Sequence, residues 1–381
     1  MADVFRGLNL LETLKESMER NKLADVKDAM EDLLISRINL AVAGDRGAEK
    51  STFMNSLRGL GPEDDGAAPS ASPAASEEVA AYPDPKHPDF RVWDLPPVPA
   101  ACPFEPEGYV DKVRFLRYNA VFMTFTRVPH PNGVEVFQEA RSLQLHAVYF
   151  ILFALADDTE KSLEAKRKSV LDALTSQGVA QPKVYVVTPS TLEKFDFPRL
   201  LEDLGKDLPE IRAHSLLLAL PALTSTLVSQ KKEAFKALIW AAATLSGGVS
   251  AIPVPFVASV VDCSVAVRIL TKARLSLCLD NESVERLARL RGVGPAGLAG
   301  LRVCPLSVEV TKAEVKRRLA AAEKELAAVS SKWVEMAMPR HARSASRSFT
   351  AMLQALNGAI EEMAADTERI VAVALGEEKR C

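Results

Sequence analysis

Apolar residues recur at two different periods along the chain, and the change of period divides it. Between residues 9 and 35, Leu10, Leu11, Leu14 and Met18 fall on one helical stripe, and Val26, Met30, Leu33 and Leu34 on a second. From residue 38 the texture becomes one of short apolar runs: INLAVAG at 38–44, FRVWDL at 90–95, AVFMTF at 120–125, AVYFILFAL at 147–155 and KVYVVT at 183–188. Such runs predict buried strands. Helical segments at 50–59, 133–144 and 159–177 lie among them, and this alternation predicts a mostly parallel sheet covered on both faces, with ligands at the strand ends. After about Leu204 the strand signal fades, and 210–245, 254–278, 281–290, 310–335 and 345–375 read as helices. In the last of these, Leu353, Leu356, Ile360 and Met363 make an i, i+3, i+7, i+10 stripe. The fold class is α/β followed by an all-helical domain, with the N-terminal helices free to join either.

Two stretches interrupt this reading. GPEDDGAAPSASPAASEEVAAYPDPKHPD, 61–89, is rich in Pro, Ala, Ser and acid and has little to bury, which predicts a long mobile loop between the first two strands. ALIWAAATLSGGVSAIPVPFVASVV, 237–261, carries no charge and is long enough to span a bilayer. Gly247, Gly248, Pro253 and Pro255 break it, so it reads more simply as the turn of a buried helical hairpin.

Composition narrows the functional classes without choosing among them. The 381 residues are 48% hydrophobic and 25% charged, the profile of a globular protein of about two domains. A net charge of −3 gives no electrostatic case for nucleic acid as a partner. The five cysteines (Cys102, Cys263, Cys278, Cys304, Cys381) are widely spaced with no C-x-x-C pair, which predicts free thiols in a reducing compartment and no zinc site. His87, His130, His146, His214 and His341 are scattered and read as structural or surface residues. MADVFRGLNLLETLKES lacks the features of a signal peptide, and its second residue is not the glycine that myristoylation needs. The closing GEEKRC does not fit a prenylation box, which leaves a reversible acyl group as the lipid reading for Cys381. A cytoplasmic protein is expected.

Candidate chemistry begins at AVAGDRGAEKSTFMNSL, 41–57. A phosphate-binding loop reads G-x-x-x-x-G-K-[ST], entered from a strand and left by a helix. Gly44, Lys50 and Ser51 stand in register, with Asp45, Arg46, Gly47, Ala48 and Thr52 completing the candidate loop, but Glu49 holds the place of the second glycine. Backbone N–H groups of 44–52 ahead of a helix still favour an anion. The Glu49 carboxylate adds bulk and like charge. At roughly 4 Å and an effective dielectric of about 20, each repelling pair costs about 4 kcal/mol, an upper figure for a side chain able to swing to solvent. Glu49 has a second reading, as a partner of Lys50 or Arg46 that fills the site itself, and Lys50 has one as an ordinary surface lysine.

INLAVAGDRGAEKSTFMNSLRGLG, then GAAP, then YPDPKHPDFRVWDLP, resembles the immunity-related GTPase family, the interferon-inducible GTPases of vertebrates. VYVVTPSTLEKFDFPRL at 184–200, LPALTSTLVSQKKEAFK ending at Lys236 and AIPVPF at 251–256 fit the same family. The resemblance covers essentially the whole chain. It implies a Ras-like G domain at 37–205 with a mostly parallel sheet, embedded in a helical domain built from both chain ends, 1–36 and 206–381. It also implies Mg-GTP or Mg-GDP as cofactor, Lys50 reaching the β- and γ-phosphates, and Ser51 and Asp94 serving magnesium.

Four places depart from the family pattern. Glu49 is the first. In WDLPP, 93–97, Asp94 is retained, but Pro97 replaces a glycine whose N–H donates to the γ-phosphate, and proline has no N–H. Where the family reads guanine with Thr-Lys-x-Asp, this chain has Phe153, Ala154, Leu155 and Ala156; Asp157 and Asp158 come late, so a shifted loop is the one way to recover an acceptor. Where the family has a switch threonine, GAAPSASPAASEE offers Ser70, Ser72 and Ser76, with Ala74 and Ala75 in place of polar residues. The expectation is a member with a degenerate nucleotide site that binds rather than hydrolyses. Its expected partners are related GTPases, met through the face at 44–51, 66–78 and 94–99. WVEMAMPRHARSASRSF, 333–349, has Arg340, Arg343 and Arg347 at helical spacing, which suits peripheral contact with an endomembrane. The rival readings are a weak Mg-nucleotide hydrolase and an adaptor that uses the helical domain alone.

Overall fold

The computed structural model describes residues 9–20, 23–44, 48–69, 78–100, 102–143, 147–222, 224–250, 258–292, 294–329 and 340–375. The five apolar runs become strands and a sixth joins them: β1 Ile38–Gly44, β2 Ala80–Pro83, β3 Phe90–Asp94, β4 Ala120–Phe125, β5 Val148–Phe153 and β6 Val184–Val187. They form one sheet in the order β2-β3-β1-β4-β5-β6. All pairings are parallel except β2 with β3. Strand order reverses at β1, so the C-terminal end of β1 lies where open α/β sheets place ligands.

Side chains along β4 and β5 alternate faces, as pleating requires. Val121, Met123, Phe125, Phe150 and Leu152 enter one core with Val110 and Val113 of α4 (Pro106–Val113), Val134 and Ala140 of α5 (Pro131–Ser142), and Leu163, Val170 and Leu174 of α6 (Glu160–Ser176). On the opposite face, Phe53 of α3 (Ala48–Leu57) meets Phe122 at 5.7 Å and Phe153 at 5.4 Å between ring centroids. On that face too, Tyr149 and Tyr185 donate to Asp207 and Asp203 of α7 (Phe197–Asp207), both at 2.6 Å. A further helix, α8 (Glu210–Ala219), packs near β1. These elements belong to one compact unit, Ile35–Leu220.

A second compact unit joins Asn9–Leu34 to the chain from Pro221 onward. It contains α1 (Leu10–Glu19) and α2 (Leu23–Ile35), then α9 (Ser225–Ser250), α10 (Ala258–Ser276), α11 (Asn281–Arg291), α12 (Pro295–Ala299), α13 (Pro305–Val308), α14 (Lys312–Val329) and α15 (Arg340–Leu375). α9 packs along α15, with Leu356, Ile360 and Met363 of the predicted stripe fully buried. Glu361 of α15 pairs with Lys232 at 3.1 Å and Lys236 at 2.8 Å on α9. Arg318 of α14 bridges Glu314 and Glu362. Arg268 of α10 holds Glu31 of α2 through both guanidinium nitrogens.

The structure corrects the sequence reading in four places. The predicted loop 61–89 contains β2, a short antiparallel edge strand, while 70–77 lie outside the described residues. Helices α4 and α7 were not predicted, although each opens with proline in its first turn, where a missing N–H costs nothing. The helical segment 210–245 is two helices, parted at Leu220-Pro221 because proline bars its predecessor from helical backbone. Gly247 and Gly248 do not break α9, which runs to Ser250; the expected turn at 251–257 lies outside the described residues. Among the described residues no helix is long and apolar enough to cross a membrane, and no cluster of His, Cys, Asp and Glu could hold a metal ion. The 333–349 patch falls on undescribed residues at 333–339, and of the side chains from 340 to 348 nothing is described.

Candidate functional site

The site is set by how β1 hands over to α3. At Gly44 an added Cβ would lie 2.3 Å from both the carbonyl oxygen and Oγ1 of Thr124 on β4, so the neighbouring strand itself demands glycine. Thr124 is held there by donating to the Ala43 carbonyl at 2.9 Å. Asp45, Arg46 and Gly47 lie outside the described residues. α3 opens at Ala48, which leaves the unpaired N–H groups of its first turn at the end of the loop. Glu49 sits half-buried in that first turn, where an acidic side chain is favoured by the helix dipole.

Lys50 is not a surface lysine. It is 8% exposed, lies 2.7 Å from Asp94 Oδ1 at the end of β3, and donates to the Leu95 carbonyl at 3.2 Å. The contact with Oδ1 is an ion pair without hydrogen-bond direction. The register of β1 against β3 brings this about: Val42 faces Asp94, so the helix that follows β1 starts beside the carboxylate. The Ser51 hydroxyl donates to the Pro69 carbonyl at 2.9 Å, while Thr52 is half-buried one residue on. Beyond Asp94, the segment containing Pro97 is pinned from outside: Tyr109 of α4 donates to the Pro96 carbonyl at 2.6 Å and Asn132 of α5 to that of Pro99, also at 2.6 Å. Burial pushes the Tyr109 phenol well above its usual range, so it remains a donor at any ordinary pH.

The other end of the same sheet edge is built differently. Phe153 closes β5 and packs on Phe53, and the Ala154 N–H is taken by the Val187 carbonyl at 2.9 Å. Asp158, the candidate for a displaced acceptor, accepts from the Leu155 N–H at 3.0 Å, from Ser162 Oγ at 2.9 Å and from Lys166 Nζ at 2.5 Å. Burial alone would raise its carboxyl, but Lys166, the Leu155 amide and Ser162 outweigh that and hold it below the usual carboxylate range. Its capacity is spent on starting α6, which Thr159 and Ser162 cap reciprocally. Asp157 is exposed. Ser70, Ser72 and Ser76 lie outside the described residues.

The donor set therefore divides. A hydroxyl and a carboxylate are hard oxygen donors that suit magnesium, and a buried lysine at a helix N-terminus suits phosphate. Ser51, Asp94 and Lys50 fit those groups. At 153–156 no side chain fits the polar edge of guanine. Sequence reasoning missed three participants: Asn55 and Arg58, which fasten the chain at 66–69 to α3, and Lys166, which occupies Asp158. The one signal for the first two was spacing, since Ser51, Asn55 and Arg58 recur at i, i+4 and i+7, which sets them on one helical face.

Comparison with known proteins agrees with this architecture. The model of the interferon-inducible GTPase (IIGP) family matches residues 8–371. Interferon-inducible GTPase 5 of Bos taurus is 28% identical over 393 aligned positions, covering 97% of this chain and 83% of the relative. Interferon-gamma-inducible GTPase 10 of Mus musculus is 28% identical over 72% of this chain and 69% of its own length. Interferon-inducible GTPase 1 of Mus musculus is 27% identical over 69% and 67%. With that match running along nearly the entire chain, the protein belongs to the interferon-inducible, or immunity-related, GTPase family.

Proposed function

We propose that this member of the family is a binding protein with a degenerate nucleotide site, one that regulates or scaffolds nucleotide-competent relatives in cell-autonomous innate defence without hydrolysing GTP itself. The family's ordinary ligand is a guanine nucleotide with magnesium. The observation that carries the proposal is the occupation of the base-reading register by Phe153, Ala154, Leu155 and Ala156, together with the commitment of Asp158 to Lys166 and α6. Glu49 and Pro97 weaken the phosphate end as well, the first by charge and bulk, the second by lacking an N–H. In this reading the contact face for relatives is the surface around 44–51, 66–78 and 94–99, and the basic stretch 333–349 docks peripherally on endomembranes.

A second reading has its own support. Lys50, Ser51 and Asp94 are the groups that hold Mg-nucleotide phosphates, so weak binding of Mg-GTP or Mg-GDP with slow hydrolysis is the alternative. Calorimetric titration of the full chain with Mg-GTP, Mg-GDP and Mg-ATP separates the two, run beside a Glu49→Gly, Pro97→Gly double variant. No heat from the natural sequence at millimolar ligand is the expected result. Binding with a clear preference for guanine would overturn the proposal, and binding indifferent to the base would favour a phosphate sensor.

A further inference from the structure

Three side chains on one face of α3 grip one strip of backbone. Arg58, one residue past the C-terminal end of the helix, donates through Nη1 to the Gly66 carbonyl at 2.7 Å and the Pro83 carbonyl of β2 at 3.2 Å. Through Nη2 it donates to Asn55 Oδ1 at 2.7 Å, and through Nε to the Met54 carbonyl at 3.2 Å. Its guanidinium also lies 5.5 Å from the Tyr82 ring centroid. Asn55, one turn earlier, grips Ala68 from both sides: Oδ1 accepts the Ala68 N–H at 2.7 Å and Nδ2 donates to the Ala68 carbonyl at 3.0 Å. Ser51, a further turn back, donates to Pro69. The chain at 66–69 thus runs up the helix against a polar stripe. Gly66 supplies the left-handed turn, φ +79°, that starts it.

We propose that Asn55 and Arg58 are positioning residues. They build the stem at 66–69 onto α3 without any ligand, and the Pro69 carbonyl at its end orients the Ser51 hydroxyl. A hydroxyl that gives its hydrogen to Pro69 turns its lone pairs elsewhere, which leaves them for a cation. Asn55, Arg58 and Ala68 are all buried, so each broken bond strands a polar group away from water. The stem therefore has its own reason to stay in place. For a protein whose contact face includes 66–69, such a stem presents that part of the face at all times. The inference takes Ser51 as the candidate magnesium ligand but does not depend on whether nucleotide is hydrolysed.

Hydrogen exchange resolved to single amides, on the ligand-free full chain, tests it. In the natural protein the Ala68 amide should exchange at least 100-fold more slowly than an unprotected amide. Asn55→Ala should accelerate it at least tenfold while the amides of Phe53–Leu57 change less than twofold. Asn55→Asp keeps the acceptor for the Ala68 N–H but sets a second acceptor against the Ala68 carbonyl, so it should accelerate Ala68 less than Asn55→Ala does, an outcome that general loosening of the helix would not give. Arg58→Lys loses the planar fork and should loosen Ala68 by a smaller factor. Ser51→Ala should accelerate Ala68 about threefold in the natural background and not at all beside Asn55→Ala, because the stem is then already released. The proposal is overturned if Ala68 is unprotected in the natural protein, or if Asn55→Ala accelerates helix and stem alike. Independent, multiplying effects of Ser51→Ala and Asn55→Ala would overturn the link to Ser51. Nucleotide affinity is no part of this readout, so the clasp and the function proposed above can fail separately.

Discussion

The phosphate end and the base end of the sheet edge share strands, layers and an aromatic bridge, yet they hold their candidate residues for different reasons. At the phosphate end, each group expected to touch ligand also has work in the fold. Gly44 makes room for Thr124, Lys50 neutralises Asp94, and Ser51 ties the stem at 66–69. At the base end, the residues in the reading register are Phe153 and Ala154, buried, with Leu155 half-buried and Ala156 exposed. Nothing in the fold asks for a lysine or aspartate there. Groups with a second, structural partner persist at their positions without a ligand to hold them, whereas a group whose one partner is a ligand has no such support. On the proposed function, that difference is how one face of a sheet would keep most of a phosphate site while giving up a guanine site.

The largest expected effect breaks both ends together. Phe53 is fully buried and bridges β4 and β5, so Phe53→Ala should cost about 3–5 kcal/mol, read as a lowered denaturation midpoint. A loss under 1 kcal/mol would mean that the two ends are not mechanically joined through this ring. Next comes the ion pair. Asp94→Leu leaves the buried Lys50 ammonium, among the described residues, with the Leu95 carbonyl alone, at a cost of roughly 1–3 kcal/mol given that Asp94 is partly open to solvent. Adding Lys50→Met should recover most of that loss in a double-mutant cycle, and simple additivity would argue against structural work for Lys50.

A smaller effect lies at the base end and depends on pH. The Asp158 carboxyl titrates below its ordinary value near 3.9, so the stability it contributes is complete above that value and is lost as pH falls through the lower folded one. Asp158→Asn should cost about 1 kcal/mol at neutral pH, in line with a helix-start interaction, and the gap to the natural protein should close below about pH 4. A gap that stayed constant from pH 7 to pH 3 would show that the carboxylate's charge is not what starts α6.

Sequence patterning made the parallel core legible, because strands buried on both faces leave unbroken apolar runs. It missed β2, whose four residues alternate half-buried with exposed on an edge and carry no run to notice. It missed α4 and α7, although each has a proline in its first turn, a position that suits a helix start. The phosphate residues were legible as a motif, but their partners were not. Lys50 and Asp94 stand 44 positions apart, and only the β1–β3 register brings them into contact. Asn55 and Arg58 donate mainly to backbone, which no residue pattern at 66–69 advertises.

The sharpest test of the comparison has the smallest expected effect on stability. Ala156 is exposed, and the family resemblance sets it in the register of an aspartate expected to read guanine. Ala156→Asp should therefore alter folding by no more than about 0.5 kcal/mol, since an exposed loop position burdens nothing. Its value lies in titration with Mg-GTP and Mg-ATP of the variant placed in the Glu49→Gly, Pro97→Gly background, where the phosphate end is repaired. If the base end merely lacks its acceptor, one carboxylate should raise GTP binding over ATP by about tenfold, the worth of one charge-assisted pair, about 1.4 kcal/mol. If the variant stays indifferent to the base, the obstacle is the packed shape made by Phe153 and Ala154 rather than a missing charge. Restoring recognition would then require opening the end of β5, and the two ends would differ in architecture as well as in residues.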